Sequence, residues 1–208
     1  TMWGCVSEST YSGTNIPVVE KGFNNILAAQ KRAELGLTYL QQGNSQQAKY
    51  NLDKAVEFAP NIQDVHISMA YYYQIVGELE NAEMSYRKAI NLSDANGDGL
   101  NNFGVFLCQQ ARYKESEKIF LRAIKMPNYT RSGDSYENLG ICSRKAGEID
   151  KARDYFSTAL KYNPRSKSAL LELTEIEVGE NNYLDAQAQL ARYHSVIIQS
   201  AERLTLGV

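Results

Sequence analysis

The chain has 208 residues, with 22 Lys and Arg against 24 Asp and Glu and a net charge of −2. Both signs are interspersed, which argues against a general nucleic-acid binder, since such a protein needs a basic face. No apolar run approaches the ~20 residues that cross a bilayer as a helix. The length allows one or two compact domains or a single solenoid.

Residues 1–28 open as Thr-Met-Trp-Gly-Cys-Val-Ser and continue rich in Ser, Thr, Gly and Asn up to Pro17. That composition predicts a flexible tether. The Gly4-Cys5 junction ahead of a polar stretch resembles the end of a bacterial lipoprotein signal peptide, in which the cysteine carries the lipid. Met2 and Trp3 depart from that pattern, and an ordinary tail cysteine is the alternative. By the same analogy, the lack of an Asp directly after Cys5 points to the outer membrane.

From residue 29 onward the chain repeats. Leu35-Gly36, Tyr39, Ala48, Leu52, Ala55 and Pro60 recur about 34 residues later as Met69-Ala70, Tyr73, Ala82, Tyr86 and Ala89. Then come Phe103-Gly104, Leu107, Ser116, Phe120 and Ala123, followed by Leu139-Gly140, Ala152, Phe156, Ala159 and Pro164. Leu173-Thr174, Ala186 and Leu190 close the series. This is the tetratricopeptide pattern. Small residues let two antiparallel helices approach closely, and bulky residues fill the space around the crossing. One pair cannot bury its apolar face alone, so neighbours stack. The prediction is an all-α, right-handed superhelix of five pairs, with repeats near 29–62, 63–96, 97–130, 133–166 and 167–200.

Helices are predicted near 28–42 and 45–58, 63–76 and 79–92, 97–110 and 113–125, 133–146 and 149–162, and 167–179 and 183–198. Gly43, Gly77 and Gly147 mark three of the turns inside pairs. Residues 201–208 read as the first turns of a further repeat, cut short.

Two strings narrow the reading: Leu100-Asn101-Asn102-Phe103-Gly104-Val105-Phe106-Leu107-Cys108, and Tyr136-Glu137-Asn138-Leu139-Gly140-Ile141-Cys142. With Pro127-Asn128-Tyr129 between them, they resemble the type IV pilus biogenesis lipoproteins of the PilF/PilW kind, the pilotins. The resemblance runs from residue 5 to about 207. It implies a non-enzymatic lipoprotein on the periplasmic face of the outer membrane, attached through Cys5. Its partner would be the pilus secretin subunit, whose localisation and ring assembly it assists. The alternative is a generic peptide-binding repeat adaptor without a lipid.

Cys108 and Cys142 fall at nearly matching places in the first helices of adjacent repeats. Two positions differ by about 200° around a helix and about 3 Å along it, so one thiol can face forward and the other back at similar height. A disulfide joining the repeats and a pair of buried free thiols are both open, and the family resemblance favours the disulfide.

A partner groove is expected along the first helices, at Leu37, Leu40, Ile67, Tyr71, Gln74, Asn101 and Glu137, apolar at the N-terminal end and more polar beyond. Asn102 and Asn138 suit backbone binding or helix-end bonding. Asp94-Ala95-Asn96-Gly97-Asp98-Gly99 matches half of a calcium loop, but Val105 stands where the final acid belongs, so it reads as a turn. His66 takes a packing position, and His194 has no clustered acids around it. There is no nucleophile elbow, P-loop or dinucleotide fingerprint. No catalytic residue, metal, cofactor, nucleic acid or small-molecule substrate is expected.

Overall fold

The computed structural model describes residues 24–206, with side chains through 201. Among the described residues there are ten α-helices and no strand. They are α1 (Asn25–Gln41), α2 (Ser45–Phe58), α3 (Gln63–Ile75), α4 (Leu79–Ala89), α5 (Gly97–Gln109), α6 (Tyr113–Ile124), α7 (Ser132–Lys145), α8 (Ile149–Tyr162), α9 (Lys167–Gly179) and α10 (Tyr183–Leu206). Each odd-numbered helix packs mainly against the helix that follows it, giving the five expected pairs.

Every pair turns in the same way. The N–H groups of Asn44, Glu78, Arg112, Glu148 and Asn182 donate to the carbonyls of Tyr39, Tyr73, Leu107, Ser143 and Glu177. These are the six-to-one bonds of a Schellman motif, which ends a helix on one left-handed residue. Glycine supplies that residue at Gly43, Gly77 and Gly147, with φ of 76, 83 and 80°. The other two turns use Ala111, at φ 56°, and Asn181, at φ 65°.

Small residues sit at the helix crossings, as the repeat pattern requires. A Cβ placed on Gly36 would lie 2.8 Å from Cγ of Leu52, and one on Gly104 would lie 2.7 Å from the ring of Phe120. On Gly140 it would lie 2.6 Å from the ring of Phe156. Both rings are fully buried, each worth about 1.5–3 kcal/mol relative to exposure. Ser116 replaces the usual alanine of α6 and donates from Oγ to the Gly104 carbonyl at 2.7 Å. The close crossing is thereby hydrogen-bonded as well as packed.

The stack bends because its two layers differ. The backbone of each first helix comes close to that of the next first helix, α1 to α3, α3 to α5, α5 to α7 and α7 to α9, whereas successive second helices meet only through long side chains such as Arg87 with Glu115 and Lys151 with Glu117. First helices therefore line the inner side, and second helices fan apart on the outer side.

The joints between repeats also differ in chemistry. Arg112 pairs with Glu83, and Arg87 with Glu115, between the second and third repeats. Lys151 pairs with Glu117 between the third and fourth. Arg144 reaches Glu172 and Glu175, and Arg153 reaches Glu177 and Glu180, between the fourth and fifth. Among the described residues no ion pair crosses the first joint. There Lys49 lies over the Tyr73 ring, 5.7 Å from its centroid.

Two boundaries depart from expectation. Asn24 caps α1, accepting from the Leu27 N–H at 3.0 Å, so the helix begins inside the stretch read as tether. At the other end α10 runs unbroken through Ala201 to Leu206. Residues 201–206 extend the second helix of the fifth pair instead of opening a new one. No Gly or Pro lies between Tyr183 and Leu206 to stop it.

Candidate functional site

The inner face presents its apolar strip on α3. Tyr71 is 43% exposed and Ile75 is 54% exposed. With half-buried Ile67 they step by four residues along one helix face. Helices α1, α5, α2 and α4 occupy the remaining sides of α3. The ring and the isoleucine thus face open space.

The other expected groove residues divide by angle around their helices. Leu37 is half-buried and packs on the first core cluster, and Ile67 packs on the second. Leu40 is only 7% exposed and belongs to the first cluster itself, so it is core rather than groove. Asn101 is likewise not offered to a partner. It is 5% exposed, and its Oδ1 accepts from Ser135 Oγ at 2.9 Å and from Asn138 Nδ2 at 3.1 Å. Neighbouring first helices are crowded there, and a polar side chain persists because both its partners are repeat-to-repeat bonds. Asn138 is used in that bond, while Asn102 is exposed.

Gln74 donates from Nε2 to Gln109 Oε1 at 2.6 Å and accepts from the Tyr86 hydroxyl at 3.2 Å. Burial pushes that phenol up to about 12. Glu137 accepts from the hydroxyl of Ser166, the N-cap of α9. The polar half of the inner face is therefore largely engaged within the protein. Ile75 was not expected because the repeat positions taken as groove-lining end at Gln74, one residue before it.

The thiols of Cys108 on α5 and Cys142 on α7 meet, with Cα atoms 5.8 Å apart. That lies inside the ~4.4–6.8 Å range a disulfide spans. Cys142 sits over Ser116, 3.5 Å from its hydroxyl, so the sulfurs lie between the third and fourth repeats. Cys5 lies outside the described residues.

The Asp94–Gly99 stretch forms the turn into α5 and the helix's first residues. Asp94 accepts from the Gln63 N–H at 2.8 Å, and Asn96 caps α5 by accepting from Asp98 and Gly99. His66 is buried, with Nε2 2.7 Å from the Pro60 carbonyl, and burial holds its imidazole below the ordinary value. Among the described residues no group of three or more His, Cys, Asp or Glu is arranged to hold a metal. None of the described helices is long and apolar enough to cross a membrane.

A bent stack of helix pairs with an aromatic and aliphatic strip along its inner side defines a tetratricopeptide-type protein-binding scaffold. Comparisons with known proteins agree. Residues 21–201 match the model of the pre-mRNA-splicing factor Syf1/CRNKL1 C-terminal HAT repeat, a helical-repeat family. Type IV pilus assembly protein PilF of Pseudomonas aeruginosa is 34% identical over 206 residues, covering 99% of this chain and 79% of the relative. The solved structure of Pseudomonas aeruginosa PilF superposes with a TM-score of 0.75 at 33% identity, covering 83% of this chain and 78% of that one. The structure of PilW, a widely conserved type IV pilus biogenesis factor, gives 0.71 at 26% identity, covering 81% and 77%. The chain belongs to the HAT/TPR-type helical-repeat proteins and, among them, to the type IV pilus family of PilF and PilW.

Proposed function

We propose that this protein is a scaffold lipoprotein of type IV pilus biogenesis. Its inner strip receives a segment of the pilus secretin subunit and so assists the secretin's localisation and assembly. The observation that carries the reading is the solvent-facing pair Tyr71 and Ile75 on the inner side of α3, in a chain of this family. Exposed apolar side chains that sit together on a helix face mark a partner site, and an aromatic anchor is the residue type that dominates such contacts. A lipid on Cys5 would hold the stack at the periplasmic face of the outer membrane. In that oxidising compartment Cys108 and Cys142 form a disulfide.

The test is co-purification of the secretin from cells that assemble pili. Changing Tyr71→Glu together with Ile75→Glu should remove the secretin from the eluate while far-UV circular dichroism stays unchanged, since neither side chain is part of a core cluster. Undiminished co-purification would assign the secretin to another surface. Labelling with radioactive palmitate in cells making the full precursor tests the anchor. Label retained after Cys5→Ser would remove Cys5 from that role.

A further inference from the structure

The outer face carries a second recessed surface. Because the backbones of α6 and α8 stay apart, a cleft of about 480 Å³ opens between them, bridged by Lys151 and Tyr155 of α8 bonding to Glu117 of α6. Its apolar lining is half-buried Leu121 of α6, with Leu139 and Cys142 of α7 nearly covered behind it. Its walls carry Lys114, Lys118 and Lys151. It is not isolated. A neighbouring cleft of about 500 Å³ shares Tyr113, Lys114, Ala146 and Glu148 with it. Another of about 470 Å³ shares Lys118 and Leu121 and continues to Arg122 and Lys125. Together they form a trough along the whole of α6.

The charges in the trough are unbalanced. Its carboxylates are engaged: Lys151 holds both Glu117, at 3.1 Å, and Glu148, at 2.8 Å, and Glu117 also accepts from the Tyr155 hydroxyl. Glu115 is held by Arg112 and Arg87. Lys114, Lys118 and Lys125 make no ion pair among the described residues, and Arg122 donates only to the Ile90 carbonyl, at 3.4 Å. Lys114, Lys118 and Arg122 on α6 and Lys125 just past its end thus have no carboxylate partner among the described residues.

Their spacing has a natural complement. Lys114, Lys118, Leu121 and Lys125 follow the i, i+4, i+7, i+11 stripe of one helix face. Four residues advance a helix by about 6 Å, and alternate side chains of an extended peptide repeat at about 6.6 Å. We propose that the trough binds an extended acidic segment of a partner protein, whose every second side chain faces α6. On that face carboxylates pair with Lys114, Lys118 and Lys125, and an apolar side chain between them seats on Leu121. An anionic membrane surface fits less well. It would meet the outermost side chains of α6 and α8 together, and α8 presents Asp150, 94% exposed, and exposed Asp154 on its surface.

The test uses the full chain with its cysteines oxidised and fluorescence anisotropy of two labelled peptides of identical composition. One sets Glu, Glu, Leu and Glu at every second position with Ser between, and the other gathers the same Glu, Leu and Ser residues into blocks. The alternating peptide should bind about tenfold tighter than the block isomer. Lys114→Glu with Lys118→Glu, both exposed and unpaired, should weaken it by about tenfold or more, whereas Lys88→Glu on α4 should not. Equal binding of the two peptides, or binding indifferent to the α6 reversal, overturns the proposal. So does co-sedimentation with phosphatidylglycerol vesicles that the reversal abolishes while neither peptide binds, because the cations would then serve lipid phosphates.

Discussion

At the scale of single residues, the turn inside each helix pair shows where local chemistry is stretched. Ala111 holds φ 56° in a turn whose equivalents use Gly43, Gly77 and Gly147. A left-handed conformation brings a Cβ too close to the following carbonyl, at a cost of roughly 1–2 kcal/mol. Glycine gives back part of that gain, because its unfolded chain has more freedom to lose. Ala111→Gly should therefore raise stability by about 0.5–1 kcal/mol, read as a higher urea midpoint with an unchanged slope. A lower midpoint would mean that the exposed Ala111 methyl makes contacts worth more than the strain. The sequence marks three of these turns by glycine and is silent on the other two, because Ala111 and Asn181 adopt the conformation only under the hydrogen bonds of the closed pair. Leu40 and Asn101 were read as groove-lining for a related reason. Repeat position identifies the helix face only coarsely, and both side chains turn toward the adjacent repeat.

At the scale of elements, the periodic small residues placed all ten helices, mostly to within a residue or two of the expected ends. The repeat fixes both the crossing and the turn, and Gly36, Gly104 and Gly140 sit where Leu52, Phe120 and Phe156 need the room. The end of α10 was not legible, since nothing in its sequence interrupts it and only packing could shorten it. The joint among α8, α9 and α10 rests on Glu177, which is buried. It accepts from Arg153 Nε at 2.9 Å and from Asn182 Nδ2 at 2.8 Å. Removing the guanidinium leaves that carboxylate in place with much of its compensation gone, and unpaired buried charge is costly. Arg153→Met should destabilise the protein by about 2 kcal/mol, discounted from the fully buried case because the arginine is partly exposed. Glu177→Gln made together with Arg153→Met should recover part of the loss. An equal or larger loss in the double variant would show that the arginine contributes through packing alone.

At the scale of the whole molecule, a stack of repeats is held together by nearest-neighbour joints, and Cys108 and Cys142 meet at the third joint across a sequence separation of 34. A crosslink over that span removes roughly 3–4 kcal/mol of chain entropy from the unfolded state. Reduction should lower the urea midpoint accordingly, and oxidised, denatured protein should show one free thiol of the three cysteines. Three free thiols before reduction would end the disulfide reading. The trough along α6 could not be found from the chain alone. It arises from the divergence of second helices, a property of the bend and not of any one repeat.

The uneven chemistry of the joints has a mechanical outcome. Screening by dissolved ions weakens exposed ion pairs far more than a packed aromatic contact. A saltier medium therefore loosens the charged rims of the three later joints, while the buried apolar clusters that cross those joints hold. The stack would soften at its exposed edges without opening, and Tyr71 and Ile75 would keep their setting.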